Sequence, residues 1–201
     1  MARVVLATQN AGKVAELRRI LAPLGIELLG LTDVQAYEPG PETADTFEGN
    51  ALAKAREAVR HTGLPAVADD SGLEVDALRG MPGVLSARWA GRHGDDLANL
   101  ELLLAQLVDV PDTRRGGGFV CAAAYALPSG AEQVVRGELR GTVVREPRGT
   151  AGFGYDPVLR PDGLTVTTAE LTPADKDAIS HRGRAFRSLA PLLAAALTGA
   201  G

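Results

Sequence analysis

The segment RVVLATQNAGKVAELRRILAPL, residues 3–24, decides the fold class because it places a strand, a turn and a helix in succession. Arg3 to Ala7 is a short apolar run with β-branched residues, which is typical of a buried strand. From Ala11 onward, apolar residues recur at the spacing of a helix, at Val14, Leu17, Ile20, Leu21 and Leu24. A strand that leads directly into a helix predicts an α/β fold.

Capping signals and helical periodicity predict four further helices. The sequence Asp45-Thr46-Phe47-Glu48 has the spacing of a capping box, and the alanine-rich helix that follows should stop at Thr62-Gly63. Leucines on one side predict a second helix in the middle of the chain. The four predicted helices cover residues 45–61, 95–108, 173–179 and 184–197.

Turn residues separate the remaining apolar runs into strands. Pro128-Ser129-Gly130-Ala131 lies between two such runs, which should form an antiparallel hairpin. Pro161-Asp162-Gly163 predicts a second turn between two short strands. The predicted strands cover residues 3–7, 26–31, 65–69, 119–127, 133–144, 157–159 and 164–166. We therefore expect a mixed, elongated β-sheet flanked by helices, in a single domain of two lobes over residues 1–201.

The composition excludes several classes of protein. A net charge of −4 gives no global electrostatic support for binding nucleic acid. The single cysteine, Cys121, allows no intrachain disulfide and no cysteine-rich zinc site, which favours a reducing compartment. The first ten residues lack the long apolar region of a signal peptide, and LAPLLAAAL near the C-terminus is too short to span a bilayer. We therefore expect a cytoplasmic protein that binds neither nucleic acid nor membrane.

The turn Thr8-Gln9-Asn10-Ala11-Gly12-Lys13 lies between the first strand and the first helix. Backbone N–H groups and the positive end of a helix favour an anion at such a place, and Lys13 adds a full charge. The spacing of a Walker A loop is absent, so the usual P-loop ATPase is excluded. An anion-binding turn and an ordinary solvated helix start both remain compatible with this segment.

Acidic residues follow the strand predicted at residues 65–69. Asp69-Asp70-Ser71-Gly72 should therefore lie at an edge of the sheet where ligands commonly bind. Neighbouring carboxylates repel each other unless a proton or cation relieves them, and Mg²⁺ prefers oxygen ligands together with substrate phosphates. The alternative is a turn in which the acids cap backbone amides.

Three other polar residues precede this pair of acids. Glu42 lies in the loop predicted over residues 32–44, and the composition of that loop does not distinguish Glu42 from other surface acids. Asn50 and Lys54 lie one turn apart on the following helix, so both could point from one face toward the same site. A solvated helix face explains that spacing equally well.

The segment Gly152-Phe153-Gly154-Tyr155-Asp156-Pro157 places two aromatic rings between glycines. Such a loop can lay a ring on the face of a purine, although rings packed into the core are the alternative. Downstream, Lys176 and Ser180-His181-Arg182 supply hydrogen-bond donors. Donors suit a purine with a 6-keto acceptor better than one with a 6-amino group.

Five segments, taken together and in order, identify a family. They are TQNAGK (8–13), PETADTFEGNALAKA (41–55), VADDSGLEVDALRGMPGVLSARWAG (67–91), FGYDPV (153–158) and LTPADKDAISHRGRA (171–185). On these segments the chain resembles the inosine triphosphate pyrophosphatase family, also called Ham1 or RdgB-like. The resemblance implies an α/β fold with a curved sheet, a central cleft between two lobes, a homodimer, and Mg²⁺-dependent hydrolysis. Its expected substrates are the non-standard purine nucleoside triphosphates ITP, dITP and XTP, cut to the monophosphate and pyrophosphate.

The resemblance also implies roles for individual residues. Glu42 and Asp70 match the Mg²⁺ ligands, and Asp70 is also the expected proton acceptor for the attacking water. Asp69 and Lys54 are expected to support the metal and phosphate positions, and Ser71 to touch the nucleotide. The triphosphate is expected on Thr8, Gln9, Asn10, Ala11, Gly12 and Lys13, and the base on Phe153, Gly154, Tyr155, Asp156, Lys176, His181 and Arg182.

The chain departs from the family pattern at two places. Gly116-Gly117-Gly118 stands where many relatives have bulkier residues, and Leu85 replaces a frequent aromatic.

Two alternative functions remain. A phosphoribosyltransferase is one alternative, because an apolar strand ending in two acids is also its signature, but Ser71-Gly72-Leu73-Glu74 lacks the Gly-Thr-rich phosphate loop. A nucleotide sensor without catalytic activity is the other.

Overall fold

The computed structural model describes residues 3–8, 13–14, 17–18, 26–34 and 37–198. Within these ranges the chain forms six strands and four α-helices, connected by loops and short 3-10 helices. The strands are β1 (Arg3–Leu6), β2 (Glu27–Leu29), β3 (Ala66–Val75), β4 (Gly116–Ala126), β5 (Glu132–Val143) and β6 (Leu159–Pro161). The α-helices are α1 (Phe47–Thr62), α2 (Asp96–Gln106), α3 (Pro173–Ile179) and α4 (His181–Thr198).

The strands form one mixed sheet in the order β2-β1-β3-β4-β5-β6. β1 pairs in parallel with both β2 and β3, whereas β5 and β6 are antiparallel. The turn between β4 and β5 is closed where the Leu127 N–H donates to the Ala131 carbonyl over 2.8 Å. The mixed α/β sheet predicted from the sequence is confirmed.

The first βα unit lies only partly within the described residues. β1 covers four of the five residues predicted for it, and Lys13, Val14, Leu17 and Arg18 have helical backbone. The remainder of that predicted helix lies outside the described residues.

Helix α1 begins one residue later than a capping box at Asp45 would place it. Thr46 is the N-cap, because its side-chain oxygen accepts a hydrogen bond of 3.1 Å from the Gly49 N–H. The helix ends at Thr62, and Gly63 follows with a φ of 66°, a left-handed conformation that glycine adopts without strain. The predicted end was therefore correct, whereas the predicted cap was wrong by one residue.

β3 is twice as long as predicted, and this changes the setting of the two acids. The strand continues from Ala66 to Val75, so Asp69-Asp70-Ser71-Gly72 is extended strand and not a turn at its end. Leu73 and Val75 are fully buried, and their burial explains why the chain stays in the sheet.

β4 starts at Gly116, three residues before the predicted start at Phe119. A Cβ on Gly117 would lie 2.7 Å from the Glu74 carbonyl oxygen, and one on Gly118 would lie 2.7 Å from that of Leu139. Those distances leave no room for a side chain. The glycine run is therefore a strand with close backbone neighbours.

The predicted pairing of residues 157–159 with 164–166 is wrong. The turn exists, since the Leu164 N–H donates to the Pro161 carbonyl, but residues 164–166 form no strand. β6 pairs instead with β5, in a register that places Thr142 opposite Arg160. Helix α4 also begins at His181, three residues before the predicted start.

The chain divides into two compact units, each with its own core. The first unit consists of Met1–Asp70, Cys121–Gly137 and Arg182–Gly201, and the second of Ser71–Val120 and Glu138–His181. The core of the first unit is built around Val4, Leu6, Val67, Phe186 and Leu189. The core of the second is built around Leu73, Leu103, Phe119, Tyr155 and Leu159. No helix in the described part of the chain is long and apolar enough to cross a membrane.

Candidate functional site

The parallel pairing of β1 with β3 determines where the two acids lie. The register joins Val5 to Ala66 and Leu6 to Val67, and the pairing ends there. Asp69 and Asp70 come two and three residues later in β3, beyond the carboxyl end of β1. Ligands of open α/β sheets commonly bind at that end of parallel strands.

Asp69 is fully buried and forms ion pairs with two basic side chains. Its Oδ2 lies 2.8 Å from Lys13 Nζ and 3.4 Å from Arg182 Nε. Burial alone would raise the pKa of Asp69, but the charges of Lys13, Arg182 and Lys54 outweigh it and hold that pKa well below its usual range. Asp69 is therefore a permanent anion that fixes the position of Lys13.

Asp70 has the opposite electrostatic setting. Burial raises the pKa of Asp70, Lys54 lowers it and the nearby Glu42 carboxylate raises it, with a net upward shift. The two neighbouring carboxyl groups are thus pushed in opposite directions by their surroundings. Such a division is typical of sites where one acid stays charged and the other exchanges a proton.

Lys54 joins Asp70 to the loop before α1. Its Nζ lies 2.8 Å from Glu42 Oε1 and 3.4 Å from Asp70 Oδ1, so two carboxylates converge on one positive charge. Burial lowers the pKa of Lys54, but Asp70, Asp69 and Glu42 outweigh it and raise that pKa. The structure thus brings together Glu42, Lys54 and Asp70, which are far apart in the sequence.

Asn50 lies one turn before Lys54 on α1 and is also buried. Its Nδ2 donates to Asp70 Oδ2 over 3.0 Å, and its Oδ1 accepts from the Ala44 N–H over 3.0 Å. The sequence singled out Asn50 only by its spacing from Lys54 and assigned it no role. An amide at the buried side of an amphipathic helix, one turn from a lysine, was the available signal.

The acids of this group fit a magnesium ion. The described residues contain no group of three or more His, Cys, Asp or Glu side chains arranged to hold a metal. Mg²⁺ is commonly bound by one or two carboxylates together with waters and substrate phosphates. Glu42 and Asp70 supply two hard oxygen ligands, and their shared cation shows that a positive charge is stabilised between them.

The turn predicted to bind phosphates is described only at its two ends. Thr8 follows β1 and its N–H donates to the Leu6 carbonyl, while Lys13 has helical backbone and contacts Asp69. Gln9, Asn10, Ala11 and Gly12 lie outside the described residues, so their predicted role rests on the sequence.

The two aromatic rings of the glycine-rich loop have different environments. Tyr155 is 5% exposed, packs in the core of the second unit and donates its hydroxyl to the Ser86 carbonyl over 2.9 Å. Burial raises the pKa of that hydroxyl further. Phe153 is 37% exposed, and Lys176 Nζ lies 5.5 Å from its ring centroid. Of the two, Phe153 is the ring that a ligand can reach.

Asp156 holds this loop in place through its buried carboxylate. The buried carboxylate accepts from the Phe153 N–H over 2.8 Å and from the Thr168 hydroxyl over 2.8 Å, and it contacts Lys176 Nζ at 2.5 Å. Gly152 precedes it with a φ of 82°. The Gly154 N–H is bound by Asp96 at the start of α2, a contact that the sequence did not predict. Asp156 therefore holds Lys176 beside Phe153.

The other predicted base contacts lie at the start of α4 and in β3. His181 is buried and stacks on Phe119, with ring centroids 5.0 Å apart. Arg182 is buried against Asp69, so it belongs to the cationic surroundings of that acid. Ser71 is half-buried and follows Asp70 in the same strand. No phosphate loop follows the acids, because β3 continues to Val75, and the phosphoribosyltransferase alternative loses its main support.

Comparisons with known proteins extend over nearly the whole chain. A family model described as the Ham1 family matches residues 4–192, a range that includes every candidate site residue. The chain is 64% identical over 198 residues to the dITP/XTP pyrophosphatase of Nocardia farcinica, with 97% of this chain and 96% of that protein covered.

Solved structures show the same likeness. A nucleoside-triphosphatase / dITP/XTP pyrophosphatase from Mycobacterium abscessus matches with 60% identity and a TM-score of 0.78, covering 93% of this chain and 98% of that one. The Ham1 protein of Staphylococcus aureus matches with 36% identity and a TM-score of 0.85, covering 96% and 98%. The α/β architecture is thus shared with proteins of known structure.

Proposed function

The chain belongs to the Ham1 family, and from that premise we propose that it hydrolyses non-standard purine nucleoside triphosphates to the monophosphate and pyrophosphate. The expected substrates are dITP, XTP and ITP. Relatives that are dITP/XTP pyrophosphatases support the first two.

One observation carries the proposal: two carboxylates at adjacent positions of β3 have pKa values shifted in opposite directions, and each carboxylate contacts a lysine. Asp69 binds Lys13 at 2.8 Å, and Asp70 shares Lys54 with Glu42. Lysines suit the charges of phosphates, and a carboxyl group with a raised pKa suits proton transfer.

The reaction that fits these residues is attack of a water on the α-phosphorus. Asp70 orients the water and accepts its proton, the new P–O bond forms, and the bond to the bridging oxygen of the leaving pyrophosphate breaks. Lys13, fixed by Asp69, offsets the negative charge of the phosphates. Thr8 and residues 9–12 are proposed to bind the triphosphate through the turn after β1.

We propose Glu42 and Asp70 as the ligands of Mg²⁺, with Lys54 and Asp69 maintaining the charge balance around them. A bound Mg²⁺ would supply charge neutralisation on the phosphate oxygens. Because Lys54 Nζ contacts both carboxylates, we expect it to remain near them when the ion binds.

The purine is proposed to contact the glycine-rich loop. Phe153 offers an exposed ring face, and Lys176 is held next to it by Asp156. Lys176 and His181 are proposed as donors to a 6-keto oxygen, which adenine lacks, so ATP would leave polar groups unmatched. Tyr155 and Gly154 are proposed to shape the loop, Arg182 to act through Asp69, and Ser71 to touch the nucleotide.

A homodimer and a cytoplasmic location complete the proposal. The homodimer follows from the family resemblance. The cytoplasmic location follows from the single cysteine, Cys121, whose thiol is buried in the core, because such cysteine usage is compatible with a reducing compartment. Size-exclusion chromatography with light scattering checks the first, and fractionation of cells checks the second.

The test is incubation of the protein with dITP, XTP, ITP, GTP and ATP in the presence of Mg²⁺, with separate detection of pyrophosphate and orthophosphate. We expect pyrophosphate from the first three and little product from ATP. Asp70→Asn should lower kcat by about 10²-fold or more, as expected for loss of a general base or metal ligand. Asp112→Asn, which changes an exposed acid, is the matched control.

Three results would contradict the proposal or one of its parts. Release of orthophosphate would show that a different bond is cut. Retention of intact ITP with Mg²⁺, without any product, would favour the nucleotide sensor instead. Near-normal turnover by Asp70→Asn would remove Asp70 from the mechanism.

A further inference from the structure

We propose that Asn50 is a positioning residue that fixes the loop of Glu42 and the carboxylate of Asp70 relative to each other. The expected effect of Asn50 on catalysis rests on the proposed function, whereas its tethering of the loop rests only on the two hydrogen bonds of its amide. Asn50 touches neither the phosphates nor the base in the proposed mechanism; it acts through the two acids.

The geometry of the amide is fully determined by its partners. The Ala44 backbone is a donor, so it must meet Asn50 Oδ1, and the Asp70 carboxylate is an acceptor, so it must meet Nδ2. Both bonds are 3.0 Å long, and the side chain is buried. One planar group thus ties two residues, Ala44 and Asp70, that are separated in the sequence by the whole of α1 and the start of β3.

The rest of the loop is attached at a different point. The Gly40 N–H donates to the Glu57 carboxylate at 3.1 Å, and the Tyr37 ring stacks on His61 with centroids 4.6 Å apart. Glu42 lies between those outer attachments and the inner one at Ala44. Loss of the Asn50 bond would therefore release the loop only on the side that faces Asp70.

Neither alanine nor aspartate at position 50 can keep both bonds. Alanine removes both, and aspartate of the same size keeps an acceptor for Ala44 but places a second negative charge against Asp70. The two substitutions therefore separate the tether of the loop from the orientation of Asp70.

The fold supplies a matched control in Asn99. This residue lies in α2, is buried like Asn50, accepts from the Ala90 N–H over 2.7 Å and donates to the Ala87 carbonyl over 3.2 Å. Asn99 thus ties a loop to a helix with the same chemistry but contacts no carboxylate of the proposed site. Its substitution should cost stability without affecting Glu42 or Asp70.

The experiment compares Asn50→Ala, Asn50→Asp and Asn99→Ala with the unmodified protein. Amide hydrogen exchange at Ala44 should accelerate in Asn50→Ala and remain slow in Asn50→Asp and Asn99→Ala. With dITP, kcat should fall by roughly 10- to 100-fold in both Asn50 variants, the range for residues that orient metal ligands. KM should change little, because the base contacts are untouched. Asn99→Ala should keep its kcat.

The outcomes separate the inference from the proposed function. If the unmodified protein releases no pyrophosphate, the proposed function fails, while the exchange of Ala44 still decides whether Asn50 tethers the loop. Slow exchange at Ala44 in Asn50→Ala would overturn the tether. A kcat for Asn50→Ala equal to that of Asn99→Ala, in an active enzyme, would overturn the positioning role.

Discussion

Replacement of Asp69 by asparagine should destabilise the protein strongly, although the side chain keeps its size. Asp69 is completely buried, and its carboxylate lies between Lys13 and Arg182, whose side chains are 14% and 3% exposed. Removing one partner of a buried ion pair leaves an uncompensated charge and typically costs about 3 to 5 kcal/mol. We expect the free energy of unfolding to fall by an amount in that range at neutral pH.

The pH dependence has a definite sign. The pKa of Asp69 in the folded protein lies well below the value of about 3.9 for an unfolded aspartate, so the carboxylate stabilises the fold at pH values above that unfolded pKa. The contribution is lost as the pH falls toward the folded pKa. The difference between the unmodified protein and Asp69→Asn should be constant from about pH 5 to 8 and shrink below about pH 4.

Urea denaturation followed by circular dichroism, in EDTA to remove divalent ions, measures this difference. Asp112→Asn is the control, because Asp112 pairs with Arg145 at the same 2.8 Å but is 77% exposed. That exposed pair should contribute less than about 1 kcal/mol. Equal losses from the two substitutions would refute the reasoning, since burial would then make no difference.

Two further predictions concern the glycine-rich loop. Phe153→Ala should raise the KM for dITP by about 5-fold or more with kcat nearly unchanged, because stacking of a base on a ring contributes about 1 to 3 kcal/mol. Unchanged steady-state kinetics would exclude the ring as a base contact. Tyr155→Phe removes the hydrogen bond to Ser86 and should lower the free energy of unfolding by about 1 kcal/mol while preserving turnover; a large loss of activity in this variant would instead make the Tyr155 hydroxyl a substrate contact.

Local patterns predicted the helices well because capping residues and apolar spacing act within a few residues of one another. Gly63, at the predicted stop, caps the end of α1, and Asp95, where a helix was predicted to begin, caps the start of α2. At the start of α1 the cap is Thr46 and not the predicted Asp45. The glycine run at residues 116–118 misled the prediction of β4, since glycine is a poor strand former on its own. Glycine is required at positions 117 and 118 because the backbones of Glu74 and Leu139, which are distant in sequence, leave no room for a side chain.

The candidate site shows the same limit. Spacing placed Asn50 and Lys54 on one face of a helix, but it did not show that Glu42, from a loop, shares Lys54 with Asp70. That convergence was suggested by the family resemblance and is now visible as geometry. The double contact of Asn50 was invisible, because its two partners come from different segments.

The error over β3 matters most for the chemistry. At the end of a strand or in a turn, the two possibilities that the sequence left open, Asp69 and Asp70 could bind the same partners. In a strand, successive side chains point to opposite faces, so the two carboxylates meet different neighbours. Asp69 meets Lys13 and Arg182, whereas Asp70 meets residues of α1.

The extended backbone thus separates a permanent anion from a carboxyl group with a raised pKa at adjacent positions. Because the side-chain period of a strand is two, a shift of one residue would exchange the two environments. The roles of Asp69 and Asp70 are therefore not interchangeable. A protein carrying Asp69→Asn should lose stability together with the fixed position of Lys13, whereas one carrying Asp70→Asn should lose mainly turnover.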